Sequence, residues 1–488
     1  MDKRILAFDF GASSGRAMLG EWKNGALTLT EVHRFENNPV QLNGTFYWDV
    51  LRLFFEIKQG ISKAAHLGSI DSIAIDTWGV DFGLLDKDGN LVQNPIHYRD
   101  LRTAGLPEEV EKILGKDKLY SLTGIQVMPL NTLFQFYALA KNQPEILERA
   151  ECALLMPDLL GYFLTGKKTA EYSMASTTQM LNPNTHQWNK ELLDELGIPL
   201  LFPDVVPSGT VLGPLREDIQ EELGVGPIPV ISTTGHDTAS AVAAAPSQED
   251  NFIYISCGTW SLFGTELKHP VINQKSLGYN ISNEGGYNFT TRFLKNIVGL
   301  WLIQETRRQY LRQGETYSYN DLEKMALASK PFQFFIDPDD AAFSTPGNLP
   351  RRIAEYCEKT GQGRPQTVGE IMRCIYESLA MKYRYTFDII RDCTEQDYLH
   401  IHMVGGGTKD NLLCRMAASA TNRPVVAGPI EATALGNVTV QLLAQGELPD
   451  IKAARKMIAD SVAPVHYAPE SPKDWEAAYP AFRKIIGL

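Results

Sequence analysis

Residues 4–35 read RILAFDFGASSGRAMLGEWKNGALTLTEVHRF, and this stretch decides the fold. Arg4 to Phe10 is an apolar run of strand length, as expected of a buried first strand. GASSG (11–15) is a turn of small residues, and RAMLGEW (16–22) reads as the returning strand. Asn24-Gly25 is a hairpin signal, and ALTLTEVHRF (26–35) alternates as a third strand. The chain therefore opens as an antiparallel meander. Apolar residues then recur at helical spacing from Asp49 to Lys63, and SIAIDTWG (72–79) reads as a strand parallel to the first. Meander, helix and strand in that order predict an α/β fold built on a mixed sheet.

The same device recurs. FIYISCGTWSLFGTEL (252–267) is again strand, small-residue turn and strand. Helical periodicity follows over Leu294–Arg312 and Val368–Asp392. HIHMVGGG (400–407) is a strand running into three glycines, and TKDNLLCRMAASA (408–420) reads as a helix. Two similar halves are expected, joined at the polar, turn-prone APSQED near Pro246–Asp250. This gives a first domain over 1–246, a second over 247–455, and a C-terminal helical segment over 456–488 that is expected to pack back on the first domain.

At 488 residues the chain is long enough for two or three domains. Its 46 basic against 58 acidic residues give a net charge of -12. That surface offers no general electrostatic basis for binding nucleic acid or anionic membrane, although a few backbone amides can still hold a phosphate. The six cysteines form no CxxC pair, which argues against a zinc or thioredoxin-type motif. They read as buried apolar residues of a reducing compartment, with a Cys357–Cys374 pair left open. No apolar run approaches the ~20 residues that span a bilayer. The apolar run of MDKRILAFDF stops at Asp9, too short for a signal-peptide core. A soluble cytoplasmic protein is expected.

Six motifs can carry chemistry. In DFGASSGR (9–16), small residues let the backbone approach a phosphate while N–H groups and Ser hydroxyls hold its oxygens. Asp9 can hold Mg²⁺ through water, and Arg16 can neutralise phosphate charge. The plainer reading is a hairpin whose Asp9 bonds turn amides. SCGTW (256–260) repeats the device around Thr259, which is either a phosphate contact or a turn residue. GGGTKDNLL (405–413) joins Gly405 and Gly406 to a helix start that suits an anion or nucleotide, or merely needs positive φ. GHDTASAVAAAP (235–246) delivers His236, Asp237 and Thr238. Asp237 either caps the helix expected from Thr238 or acts as a general base toward a substrate hydroxyl. IDTWGVDFGLLD (75–86) and YRDLRT (98–103) mix carboxylates, indole and guanidinium as polyol recognition needs, although Asp76 and Asp81 equally suit turn caps. LKNIVGLWLIQE (294–305) is mainly a core stripe, from which Asn296, at an expected helix start, and Gln304 stand out.

Taken in order, these motifs and GPIEATALGN (428–437) resemble the FGGY carbohydrate kinases, of the actin-like, ribonuclease H-like ATPase superfamily, from Asp9 to about Asn437. The resemblance implies two α/β domains that close over a sugar. It implies ATP-dependent phosphate transfer to a ketose, with O1 of L-rhamnulose as the expected acceptor and Mg²⁺ accompanying ATP. It further implies that Asp237 takes the hydroxyl proton. Ala12, Ser13, Ser14, Gly15, Arg16, Thr259, Gln304, Gly405 and Gly406 would meet ATP. Gly79, Asp81, His236, Thr238 and Asn296 would line the sugar site, and Asp9 would help place Mg²⁺. Another ketose, L-fuculose or D-xylulose, is the alternative within the class, and a silent sugar sensor the alternative outside it. A nicotinamide dehydrogenase is excluded by the lack of GxGxxG after the first strand.

Overall fold

The computed structural model describes residues 2–488. The chain packs as two compact units, and neither is one continuous stretch. The first comprises residues up to Gln248, Glu266–Phe293 and Glu431–Val462. The second comprises Glu249–Thr265, Leu294–Ile430 and Ala463–Leu488.

In the first unit the opening meander forms as β1 (Lys3–Phe10), β2 (Ser14–Lys23) and β3 (Ala26–Glu36). Asn24 and Gly25 take φ of 52° and 81°, the left-handed pair that a tight hairpin requires. The β1–β2 register sets Asp9 opposite Arg16. β4 (Ser72–Thr77) runs parallel to β1 with Asp9 opposite Asp76. With β5 (Thr210–Pro214) and β6 (Pro229–Ser232) the sheet is six-stranded and ordered β5-β6-β4-β1-β2-β3. β1 and β4 are central, so both their faces are buried, and both read as apolar runs rather than alternations. Phe8, Phe10, Ile73 and Ile75 share one buried cluster with Ile57 and Ile61 of the helix Val50–His66 and with Leu160 and Leu164 of the helix Met156–Thr165. Each such side chain contributes about 1.5–3 kcal/mol by leaving water.

The helices Asp237–Ala243 and Ala432–Ala444 cross in this unit at very short range. A Cβ on Gly436 would overlap the carbonyl of Ser240. Gln441 ties the second of these helices to the sheet, donating to the Leu6 carbonyl (3.2 Å) and accepting from Ser72 (2.7 Å).

The second unit is built on β7 (Ile253–Cys257) and β8 (Trp260–Leu267), the expected strand, turn and strand. β9 (Thr291–Val298) precedes the helix Trp301–Arg312. β10 (Ile401–Val404) runs parallel to β7, and β11 (Val425–Ala427) parallel to β10, before β12 (Val465–Tyr467) closes the edge. These six lie in the order β9-β8-β7-β10-β11-β12 within a seven-stranded sheet. All six cysteines are buried free thiols.

Three expectations are corrected. Leu294–Val298 is strand, not helix, so Asn296 does not sit at a helix start. The strand is buried on nearly every residue and therefore shows no period of two. The change to helix falls at Gly299, whose N–H donates to the Thr259 carbonyl (3.1 Å) and whose Cβ would strike Trp260 and Ser261. The glycine run does not open a helix. It enters a single 3₁₀ turn, Gly406–Lys409, and the helix Asn411–Thr421 starts only after Asp410, which accepts from Leu413 N (2.9 Å). Finally, the C-terminal helix Pro472–Ile485 packs on the second unit, not the first. Arg384 stacks on Tyr479 at 4.0 Å and bonds Glu476 at 2.6 Å, and Trp475 meets Phe332 edge-on at 4.9 Å.

Candidate active site

In the first unit, three carboxylates gather where β1, β4 and the helix Asp237–Ala243 end or begin. Asp9 and Asp76 are register partners on adjacent parallel strands. Thr77 N donates to the Gly235 carbonyl (2.8 Å), which brings the residues before Asp237 alongside the end of β4. Asp76 is fully buried; one oxygen accepts from Asn437 Nδ2 (2.6 Å) and Oδ1 has no partner. Burial, then the charges of Asp9 and Asp237, push its carboxyl well above the usual range. Arg16 answers part of this charge through ion pairs with Asp9 and Glu431.

The helix begins at Asp237 itself, with His236 as its unbonded cap. Asp237 is thus the first helical residue, and the cap, one of its two sequence readings, is His236 instead. Asp237 Oδ1 accepts from Thr238 Oγ1 (3.1 Å), and 32 % of the Asp237 side chain stays accessible. Burial first, then Asp9, raise its carboxyl to about 7. His236 is nearly buried, with Nε2 3.4 Å from Asp237 Oδ1 and Nδ1 3.0 Å from Arg292 Nη2. Burial and Arg292 lower its pKa well below the ordinary value, so the ring is neutral. The approach to Asp237 is held from behind. Glu171 accepts from Gly235 N (3.0 Å) and Ser173 Oγ (2.5 Å), and that hydroxyl accepts from His236 N (3.2 Å).

The turn 11–14 is closed by Gly11 N on the Ser14 carbonyl (2.9 Å) and steadied by Asn37, which donates from N to Ser13 O (3.1 Å) and from Nδ2 to Gly11 O (2.9 Å). Ser13 is exposed, and Ala12 and Ser14 are half-buried. Gly15 is different: it is buried, and a Cβ there would strike the Phe35 and Phe10 rings. The fold itself requires that glycine.

Asp81 lies deeper than expected, with no exposed surface. Its oxygens accept from Trp48 Nε1 (2.6 Å), Trp78 Nε1 (3.0 Å), Tyr98 N (3.1 Å) and Gln135 Nε2 (3.0 Å). This carboxylate, raised by burial to about 6, fixes a cluster in which Trp48 lies 4.0 Å from Trp78 and stacks 4.1 Å from His97. Between Trp78 and Asp81, Val80 has φ 67°, a strained value for a β-branched residue, and is pinned by Thr177 (3.2 Å) and Thr132 (2.6 Å). Gly79 has no positive φ, and the atoms nearest a Cβ there are His236 Nε2 and Thr177 at 3.4 Å. Its missing side chain leaves space over the imidazole that the fold does not demand.

In the second unit, the β7–β8 turn is closed by Gly258 N on the Trp260 carbonyl (2.8 Å), and the Thr259 carbonyl accepts from Gly299 N and Trp301 N. Gln304 lies half-buried in the first turn of the helix Trp301–Arg312. The three glycines after β10 have different duties. Gly405 takes φ 91° against the Cys257 carbonyl, and Gly407 lies where a Cβ would collide with Cys257 Sγ. Gly406 is exposed, and a Cβ there would meet no atom within 4 Å, so of the three it is the one open to a ligand. Cys257 is therefore a packing partner of the glycine turn, its thiol pushed up by burial to about 11.

Asn437, Glu431, Glu171 and Arg292 were absent from the expected site. Asn437 and Glu431 fall inside a quoted motif, and Asp76, read either as a polyol contact or as a turn cap, instead joins Asp9, a strand neighbour not visible in sequence. Among the described residues, no helix is long and apolar enough to cross a membrane, and no group of three or more His, Cys, Asp or Glu is disposed to hold a metal ion.

Residues 4–244 match the N-terminal domain, and residues 253–445 the C-terminal domain, of the FGGY family of carbohydrate kinases. The chain is 44 % identical over 488 residues to the rhamnulokinase of Bacteroides thetaiotaomicron, covering 100 % of both chains. It is 41 % identical over 457 residues to that of Bacillus subtilis, covering 93 % of each. Among solved structures it resembles gluconate kinase from Lactobacillus acidophilus (TM-score 0.82, 18 % identity, 99 % and 98 % of the two chains). It also resembles Plasmodium falciparum glycerol kinase with ADP (TM-score 0.79, 16 % identity, 100 % and 99 %). At those identities the likeness establishes the two-unit α/β fold.

Proposed function

We propose that this chain, which belongs to the FGGY family of carbohydrate kinases, transfers the γ-phosphate of ATP to O1 of L-rhamnulose, giving L-rhamnulose 1-phosphate and ADP. The observation that carries the chemistry is the Asp237 carboxylate at a helix start, 32 % accessible and 3.4 Å from His236 Nε2, its carboxyl pushed up to about 7 by burial and Asp9. A base of that strength accepts the O1 proton as the O1–P bond forms and the bond from the γ-phosphorus to the ADP oxygen breaks. Near-full-length likeness to rhamnulokinases supports the choice of sugar.

His236, Thr238 and Gly79 are assigned to the sugar, with Asn296 as a further contact. Asp81 is assigned to holding Trp78 and the turn at Gly79. Ala12, Ser13, Ser14 and Arg16 are assigned to the phosphates, with Gly15 keeping their turn tight. Thr259, Gln304 and Gly406 meet the nucleotide, and Gly405 shapes the turn that presents Gly406. Mg²⁺ is assigned to the first unit on two carboxylates rather than a three-ligand set: Asp76 Oδ1 is a buried oxygen without a partner, beside its register partner Asp9. Asp9 and Asp76 would hold the ion through water. When bound with ATP it supplies charge neutralisation at the transferring phosphoryl group.

ADP release with Mg-ATP against L-rhamnulose, L-fuculose, D-xylulose, glycerol and no sugar tests the reading. A clear preference for L-rhamnulose is expected. Faster turnover of another ketose would move the error to the sugar contacts, and none at all would favour a silent sensor. Gly79→Ala adds a sharper check. The fold accommodates the methyl group, so the variant should fold normally and keep its KM for ATP. The KM for the sugar should rise about tenfold, the loss expected when a methyl group intrudes on a fitted pocket.

A further inference from the structure

Arg292, which the sequence reading did not single out, has no role in the reaction as proposed so far. Its side chain is fully buried. Nε donates to the Gly285 carbonyl (2.7 Å), and Nη2 reaches Glu284 Oε2 (3.2 Å) and His236 Nδ1 (3.0 Å). Two of these contacts fix the plane of the guanidinium, and the third is directional. Arginine has donors only and does not lose its proton in a protein. The nitrogen it faces must therefore carry a lone pair. A neutral imidazole with an unprotonated Nδ1 carries its proton on Nε2. Nε2 is the atom 3.4 Å from Asp237 Oδ1, and the atom beneath the open space at Gly79.

We infer that Arg292 is a positioning residue of the proposed reaction: its donation to Nδ1 fixes His236 as the neutral, Nε2-protonated imidazole and so aims a donor at the Asp237 carboxylate. This rests on the assignment of Asp237 as base. Glu284 shows why an arginine is needed. Its Oε2 is also 3.6 Å from His236 Nδ1. Without the guanidinium, that carboxylate would draw a proton onto Nδ1. The other groups facing the pair are Asp9 and Asp76, which bear on Asp237, and Ser173, which holds only the His236 backbone N–H. With carboxylates on both sides, loss of Arg292 favours the imidazolium. A cation beside Asp237 weakens it as a base.

The test has a spectroscopic and a kinetic arm. Side-chain ¹⁵N spectra of the full chain labelled at its nine histidines, assigned with His236→Gln, should show His236 as the neutral Nε2–H form from pH 5 to pH 8. This readout needs no sugar, so it stands apart from the choice of substrate. Arg292→Gln should bring His236 into titration, lower kcat about 10²-fold, and shift the acidic limb of kcat/KM to lower pH. The KM for ATP should stay within about threefold of the parent. Arg292→Lys keeps a charged donor and should recover most of the loss. If Arg292→Gln does not fold because the buried Glu284 loses its ion pair with the guanidinium, the double variant Arg292→Gln/Glu284→Gln removes that charge and should show the same fall in kcat. The inference is overturned if His236 in the parent carries its proton on Nδ1 or titrates near its ordinary value. A folded Arg292 variant with unchanged kcat and pH profile overturns it equally.

Discussion

Asp237→Asn should lower kcat by about 10³-fold and leave nucleotide binding, followed by calorimetry with ATP, unchanged. Asparagine is close to aspartate in shape and can keep the Thr238 contact, so the helix that starts at residue 237 survives. What disappears is the carboxylate able to take the O1 proton. A variant that keeps most of its turnover would remove Asp237 from the reaction. The same carboxylate sets a pH profile. Burial and Asp9 hold its proton until about pH 7. Below that the base is blocked, and above it the base is free. The parent kcat/KM for the sugar should therefore rise with pH through about 7 and level off. Asp9→Asn removes a neighbouring negative charge and should move the limb to lower pH. A flat profile between pH 5 and pH 8 would contradict the assignment.

Gly436→Val should be the most damaging change outside the site. The helices that cross at Gly436 have no side-chain cushion between them. A Cβ meets the Ser240 carbonyl, carbon and Cα, and backbone atoms cannot swing aside as a rotamer can. Overpacking of this kind costs about 3 kcal/mol. The melting temperature should fall by several degrees, and kcat should fall with it, because one helix carries Asp237 at its start and the other holds Asp76 through Asn437. Gly226→Ala is the control, since nothing lies within 4 Å of a Cβ there and its φ is not positive. Equal melting temperatures for the two variants would show that the helices separate without cost.

The parts legible in the sequence are those that local physics decides. The meander from Arg4 to Phe35 follows from alternation and one Asn-Gly turn. That hairpin also makes Asp9 and Arg16 partners, so DFGASSGR could be read as one device. What was hidden needs long-range pairing. Asp9 meets Asp76 only through a parallel register, and Asp76 meets Asn437 across 361 residues. Arg292 finds His236 across 56 residues, and no spacing announces it. Leu294–Val298 misled because a strand buried on both faces shows the same apolar density as a buried helix. Glycines carry a second reason. Gly15 and Gly405 look like ligand contacts in sequence, and packing against the Phe35 ring and Cys257 requires them as well.

The interleaving of the two units bears on how the protein is made. Ser72 and Asp76 leave the ribosome early, but Gln441 and Asn437 emerge some 360 residues later. At roughly 5–20 residues per second, the nascent first sheet waits tens of seconds for the helix that completes its buried hydrogen bonds. During that interval a carboxylate destined for full burial stays in water. The early half of the chain thus lacks the partners of its buried Ser72 and Asp76 until residues 437–441 emerge, and the acidic group on which the proposed chemistry depends is completed only late in synthesis.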